Sequence, residues 1–145
     1  MLIRTPATRM RPHPHSIRLV NDLVGMTTNI HYHGLHVSPS GTADNIAIIV
    51  QPGQSFLYDF VIPKDHNQGL FWYHSHVYGL SDMATTLGLS GMFLIEGGAG
   101  ATKKLRKKTH VLMALNQIQI NATAGSALYP PPAPNGLQAS ACVCT

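Results

Sequence analysis

The chain has 145 residues, a length that predicts one domain. Charged residues make up 11% of it and hydrophobic residues 44%, which excludes a charge-rich disordered protein, a coiled coil and a long solvated helix. The net charge is +4 and Glu96 is the only glutamate, which excludes chemistry based on paired glutamates. No apolar run approaches the roughly 18 residues of a membrane helix, so we expect no membrane partner.

Short apolar segments separated by turn residues predict an all-β sandwich or barrel. Residues 1–15, rich in Pro, Arg and His, indicate an irregular arm. Alternating or β-branched patterns predict strands at 16–21, 27–33, 55–62, 69–76, 91–96 and 110–115. A short helix is predicted over 80–87, with Ser81 as its N-cap. The predicted core residues are Phe56, Tyr58, Phe60, Phe71, Trp72 and Leu94.

The two ends of the chain predict little chemistry. Met1–Pro14 carries three arginines but no apolar core of seven residues, so it is unlike a signal peptide. Lys103–Lys108 is a basic run without interleaved aromatic residues, which favours a solvated linker over a nucleic-acid site. Residues 121–141 are Pro-rich and typical of a disordered tail. Cys142 and Cys144 lie in the tail, and no long-range disulfide framework is available.

Two histidine repeats carry the candidate chemistry. They are His31-Tyr32-His33 and His74-Ser75-His76. Residues two apart on a strand project to one face, about 6.5–7 Å apart along it. Each repeat therefore presents two imidazoles side by side. Two such strands lying next to each other would bring four imidazoles together. Neutral imidazole without thiolate or carboxylate partners favours copper or zinc over magnesium or calcium.

Other metal sites fit the sequence less well. A cupin-type site adds a glutamate close to its His-x-His pair, and none lies between His33 and Glu96. Asp44 could complete an iron site of two histidines and one carboxylate, which remains a minor alternative. His36 could be a fifth ligand, although Gly34 is expected to turn the chain before it. The remaining histidines lack partners at ligand spacing and are expected to be surface or structural residues: His13, His15, His66 and His110.

These segments resemble the first domain of multicopper oxidases, the laccase-like enzymes. The segment from Thr28 to His36 (TNIHYHGLH) resembles the first copper motif of the family, and Gly69–His76 (GLFWYHSH) resembles the second. Pro52-Gly53-Gln54-Ser55 and Gly88–Ile95 are similar to other segments of that domain. The similarity covers about residues 16–96. It implies a cupredoxin-like Greek-key β-sandwich over residues 16–98, incomplete at its N-terminal edge, followed by a linker, one strand and a tail over 99–145.

The resemblance also implies a reaction and roles for individual residues. The family couples one-electron oxidation of a reducing substrate, such as a phenol or a metal ion, to reduction of dioxygen to water. By resemblance, His31 binds a type 2 copper, His33 and His74 share one type 3 copper, and His76 binds the other. Asp44 lies where similar enzymes have an acid that assists proton delivery, so it is the candidate catalytic residue.

The sequence departs from the family pattern in the second half of the copper cluster. The family takes four further histidines from a last domain, and no cysteine here has histidine neighbours to form a type 1 site. We therefore expect an N-terminal unit, trimmed at both ends, that meets a second cupredoxin domain or forms a homo-oligomer. The resemblance implies a periplasmic or secreted protein. The alternative to an oxidase module is a copper-binding module without turnover, for storage, delivery or resistance.

Overall fold

In the computed structural model of the chain, residues 2–6, 13–96, 111–119 and 140–144 are described. Their regular secondary structure is mostly strand, with one short helix, as the sequence predicts. In chain order the elements are β1 Leu2–Pro6, β2 His13–Val20, β3 His31–His33, β4 Ser55–Ile62, β5 Gly69–His74, α1 Ser81–Thr86, β6 Ser90–Glu96, β7 Leu115–Gln119 and β8 Ser140–Cys144. No helix in this part of the chain is long and apolar enough to cross a membrane.

The strands that position the histidines belong to one four-stranded sheet. Its order is β1-β6-β5-β3, with β1 parallel to β6 and the other neighbours antiparallel. A second sheet pairs β2 with β4, and a third pairs β7 with β8. In the first sheet His31 lies opposite His74, and His33 lies opposite Trp72. This register brings the two histidine repeats together.

The core lies between the first sheet and the β2–β4 sheet. β4 alternates, with Tyr58, Phe60 and Ile62 buried and the residues between them exposed, because successive side chains point to opposite faces. From β3, the buried Tyr32 ring packs 4.6 Å from the ring of Phe60. The predicted β-sandwich is therefore confirmed. Among the described residues, the buried apolar cluster consists of Ile30, Tyr32, Leu35, Ala43, Tyr58, Phe60, Ile62, Phe93 and Ile95.

Two predictions about local structure are wrong. Part of the expected irregular arm is strand, since Leu2–Pro6 pairs with β6 and His13 already begins β2. These pairings are long-range, so the local pattern does not reveal them. Ser81 does not cap α1; the N-cap is Leu80, and the Ser81 hydroxyl donates to the carbonyl of Val77.

The predictions for the C-terminal part are met only in part. The strand expected over 110–115 is wrong in position, because residues 111–114 are irregular and β7 begins only at Leu115. The expected disordered tail is also wrong for Ser140–Cys144, which pairs with β7. His110, the basic run 103–108 and the Pro-rich segment 130–132 lie outside the described residues. The division into arm, domain and tail stays a prediction.

Candidate metal centre

β3 exposes its two histidines on the outer face of the sandwich. Tyr32 occupies the core side and is fully buried, so His31 and His33 on either side of it point outward. The antiparallel partner β5 presents His74 on the same outer face, beside His31. Because the aromatic residue between the two histidines is buried, both imidazoles point to the outer face.

Three of the predicted ligands form one compact group. The ligand nitrogens of His31, His33 and His74 all lie within 4.8 Å of one another. His76 is not part of this group, but its ring centroid lies 5.2 Å from that of His31 and 5.8 Å from that of His74. His31 is thus central, with each of the other three rings 5.2–5.6 Å away. All four predicted histidines are brought together.

Asp44 lies against His31. The Nδ1 atom of His31 is 3.0 Å from both carboxylate oxygens of Asp44, and the backbone N–H of Tyr32 donates to Oδ1 at 2.8 Å. A carboxylate only accepts hydrogen bonds, so Nδ1 of His31 carries the proton. This leaves Nε2 free for a metal, the usual arrangement of a ligand histidine with its supporting carboxylate.

His74 has the same arrangement with a backbone partner. Its Nδ1 donates to the carbonyl oxygen of Ser75 at 2.9 Å, which leaves Nε2 as the free nitrogen. Burial lowers the pKa of His74, and the nearby imidazoles of His31, His76 and His33 lower it further, while the Ser75 carbonyl opposes them. The ring is therefore held neutral, which is the form that binds metals.

Trp72 joins the histidine face and not the core, so its predicted core role is wrong. Its ring stacks against His74 at 4.3 Å and against His33 at 5.0 Å, with interplanar angles of 25° and 26°. The side chain is 39% exposed. Trp72 lies two residues before His74 on β5, and this spacing places both on the outer face. Its contacts hold two candidate ligands in place from one side.

Three further histidines in the described part of the chain lie away from this group or are occupied by other contacts: His15, His36 and His66. His66 is buried, its Nε2 accepts the backbone N–H of His36, and its Nδ1 donates to the carbonyl of Asn67. His66 is therefore a structural residue, which is one of the two roles expected for it, surface or structural. His36 is exposed, lies 5.0 Å from the His66 ring and is not part of the three-histidine group. His15 lies on β2, in the other sheet.

Sequence reasoning missed two polar residues that hold the site. Thr28 donates to the hydroxyl of Ser75 at 3.1 Å, and Asn29 accepts the backbone N–H of His76 at 2.6 Å. Both are buried. An asparagine inside an apolar, β-branched segment has low strand propensity, and that anomaly was the available signal.

The donor set fits a transition metal that prefers nitrogen ligands. Three imidazole nitrogens, one from each ring and within 4.8 Å of one another, suit copper or zinc, while the carboxylate of Asp44 is engaged with His31. That engagement argues against Asp44 as the direct ligand of the alternative iron site.

Comparison with known proteins gives a consistent result. A family model described as multicopper oxidase matches residues 12–100. Laccase-1 of Fomitopsis schrenkii is 44% identical over 62 residues, which is 40% of this chain and 11% of that protein. The iron transport multicopper oxidase of Saccharomyces cerevisiae is 33% identical over 84 residues, or 55% of this chain and 12% of that protein. The chain thus spans about an eighth of the length of these relatives or less.

Solved structures share the fold. A variant of the McoA multicopper oxidase from Aquifex aeolicus superposes with a TM-score of 0.72 and 22% identity, covering 99% of this chain and 30% of that one. The fold class predicted from the sequence, a cupredoxin-like β-sandwich, agrees with this neighbour.

Proposed function

The chain belongs to the multicopper oxidase family, and from that premise we propose that it is a laccase-like oxidase module that supplies half of a type 2/type 3 copper cluster. The observation that carries the proposal is the convergence of His31, His33 and His74, whose ligand nitrogens lie within 4.8 Å of one another. Copper in such a centre supplies one-electron chemistry for the reduction of dioxygen.

The four histidines would coordinate different copper ions. We assign His31 to the type 2 copper, His33 and His74 to one type 3 copper, and His76 to the other. The free Nε2 atoms of His31 and His74 support this use, because Asp44 and the Ser75 carbonyl engage the opposite nitrogens.

Asp44 would orient His31 and hold a proton beside it. Reduction of dioxygen to water consumes four protons, and a carboxylate next to a ligand histidine can receive and pass them. Asp44 is 11% exposed, so a route to solvent exists. Its Oδ1 also accepts the Tyr32 backbone N–H, which fixes the carboxylate relative to β3.

The second half of the cluster would come from another histidine-bearing surface. His33 is exposed and Trp72 is 39% exposed, so the histidine face is open on one side. A second cupredoxin domain or a second copy of this chain would close it and provide the missing ligands. Light scattering with and without copper tests this, since a monomeric mass unchanged by copper would contradict a homo-oligomer.

The experiment that separates the oxidase from a non-catalytic copper protein is oxygen uptake. The copper-loaded chain is mixed with a cupredoxin unit that carries a His-flanked cysteine, and a phenol is added as the reducing substrate. Oxygen consumption that needs both chains supports the oxidase module. Tightly bound copper without oxygen consumption would instead support storage, delivery or resistance.

A further inference from the structure

His76 lies beyond the strand that carries its repeat. β5 ends at His74, and its pairing with β3 ends at the His31–His74 pair. The His76 ring nevertheless lies 5.2 Å from the His31 ring and 5.8 Å from the His74 ring. Since the ladder does not extend to His76, another contact must set its position.

That contact is made by Asn29. Its Oδ1 accepts the backbone N–H of His76 at 2.6 Å. Its Nδ2 donates to the carbonyl oxygens of Ile46 and Ile48, at 3.0 Å each. The side chain is 2% exposed, so water does not compete for these bonds. One amide thus joins three segments: the approach to β3, the loop after Asp44, and the segment that follows β5.

The neighbouring residue makes a parallel connection. The Thr28 hydroxyl donates to the Ser75 hydroxyl at 3.1 Å, and both residues are buried. Thr28 and Asn29 therefore continue by side chains the pairing that β3 and β5 make by backbone. Both residues that follow His74, Ser75 and His76, are therefore hydrogen-bonded to the segment that precedes the first repeat.

We propose that Asn29 is a positioning residue that sets His76 for metal binding. The inference rests on the proposed copper role of His76. Removing the Asn29 amide frees the His76 backbone N–H and the two loop carbonyls together, so the ring loses its fixed direction toward the other histidines. Loss of such a supporting contact typically lowers metal affinity by about 10–100-fold.

Asn21 provides a matched control, because it is also a buried amide with three hydrogen bonds. Its Nδ2 donates to the carbonyls of Met26 and Val50 at 2.9 Å, and its Oδ1 accepts the Leu23 N–H at 3.1 Å. Asn21 is 1% exposed, and none of these contacts involves a histidine. A purely structural role for Asn29 would make the two alanine variants equivalent.

The test compares Asn29→Ala, Asn21→Ala and His76→Ala in the full chain. Thermal melting without metal and copper retained against a chelator are measured for each variant, together with the Cu²⁺ electron paramagnetic resonance spectrum. We expect both asparagine variants to melt at lower temperature. Only Asn29→Ala and His76→Ala should lose copper affinity, by about 10-fold or more, with the same change in the spectrum.

The failures are distinguishable. Equal copper retention in Asn29→Ala and Asn21→Ala, while His76→Ala loses copper, would overturn the positioning role alone. Wild-type retention in His76→Ala would overturn the proposed ligand role of His76 and the inference with it. If Asn29→Ala does not fold, Asn29→Asp decides, since it keeps the acceptor for His76 and loses both donors. We expect it to melt earlier but to retain copper, and a loss equal to that of His76→Ala would contradict the proposal.

Discussion

At the scale of single residues, the hydroxyl of Tyr32 is the one buried side-chain oxygen or nitrogen that lacks a hydrogen-bond partner in the described part of the chain. The ring separates His31 from His33 and packs against Phe60 and Phe93. Burial raises the pKa of Tyr32 well above its usual value, so the group stays neutral. The ring, and not the hydroxyl, is what the site requires here.

We therefore expect Tyr32→Phe to raise the free energy of unfolding by about 1 kcal/mol, because it removes an unpaired buried hydroxyl. Tyr58→Phe is the matched control. The Tyr58 hydroxyl accepts the buried N–H of Ile30 at 3.0 Å, so its loss should destabilise by about 1–3 kcal/mol. Denaturant unfolding of both variants measures the difference, and equal destabilisation of the two would contradict it.

His74 gives the metal-free chain a pH dependence. Its pKa in the folded chain is lowered from the ordinary 6.5, mainly by burial. The unfolded chain therefore takes up this proton at higher pH than the folded chain does. The contribution of His74 to stability should be constant above 6.5 and decline as the pH falls from 6.5 toward the lower folded value.

Thermal melting across this range, compared between the wild type and His74→Gln, isolates the effect. The wild type should lose more stability on acidification than the variant, since glutamine does not titrate. Identical slopes of melting temperature against pH in the two proteins would show that His74 is not the group responsible.

At the scale of elements, the turn after β3 fixes the end of the first histidine pair. Gly34 has a φ of +88°, and a Cβ there would lie 3.0 Å from Cδ1 of Phe71. Gly53 has a φ of +77° with nothing within 4 Å of its Cβ position. Both need the left-handed conformation, but only Gly34 also needs the space.

Gly34→Ala should therefore destabilise more than Gly53→Ala. The backbone conformation costs about 1–2 kcal/mol at either position, and the Phe71 contact adds to it at Gly34. Because Gly34 follows His33 directly, we also expect lower copper retention in Gly34→Ala alone. Calorimetry and copper content for the pair measure both effects, and equal losses of stability would contradict the role of the Phe71 contact.

An element could be predicted from the sequence where its local residue pattern determines it, and not where a distant partner does. β4 is local, since Phe56, Tyr58, Phe60 and Ile62 alternate with outward residues, and its predicted bounds are the observed ones. β3 is shorter than predicted because its ladder with β5 begins at His31, while the backbone of Thr28 pairs with Val50 instead. β1 depends on a partner about 90 residues away in sequence, so no local pattern reveals it.

The site was predictable to a similar degree. A period of two places each His-x-His pair on one face, and the structure has that arrangement in β3. The register that sets His31 opposite His74, and the contact between His31 and Asp44, are tertiary. Sequence spacing could name these residues but not their distances.

At the scale of the whole molecule, the described part of the chain presents a histidine-bearing face on its four-stranded sheet. The two cysteines, Cys142 and Cys144, are flanked by alanine, valine and threonine and by no histidine. A type 1 copper site needs a cysteine thiolate together with two histidines. The copper-loaded chain alone should therefore lack the intense thiolate-to-copper absorption of blue copper proteins. An absorption spectrum of the copper-loaded chain checks this, and a strong blue band would contradict it.

Copper content per chain is the measurement that bears most directly on the four-histidine site. The full chain is loaded with copper, passed over a chelating resin and analysed as wild type, His33→Ala, His74→Ala and His15→Ala. We expect the wild type and His15→Ala to keep their copper, because His15 lies on β2 in the other sheet. His33→Ala and His74→Ala should bind copper at least about 10-fold more weakly and so retain less of it, since losing a supporting contact alone typically costs about 10–100-fold in affinity. Equal copper retention in His74→Ala and His15→Ala would show that the metal lies elsewhere.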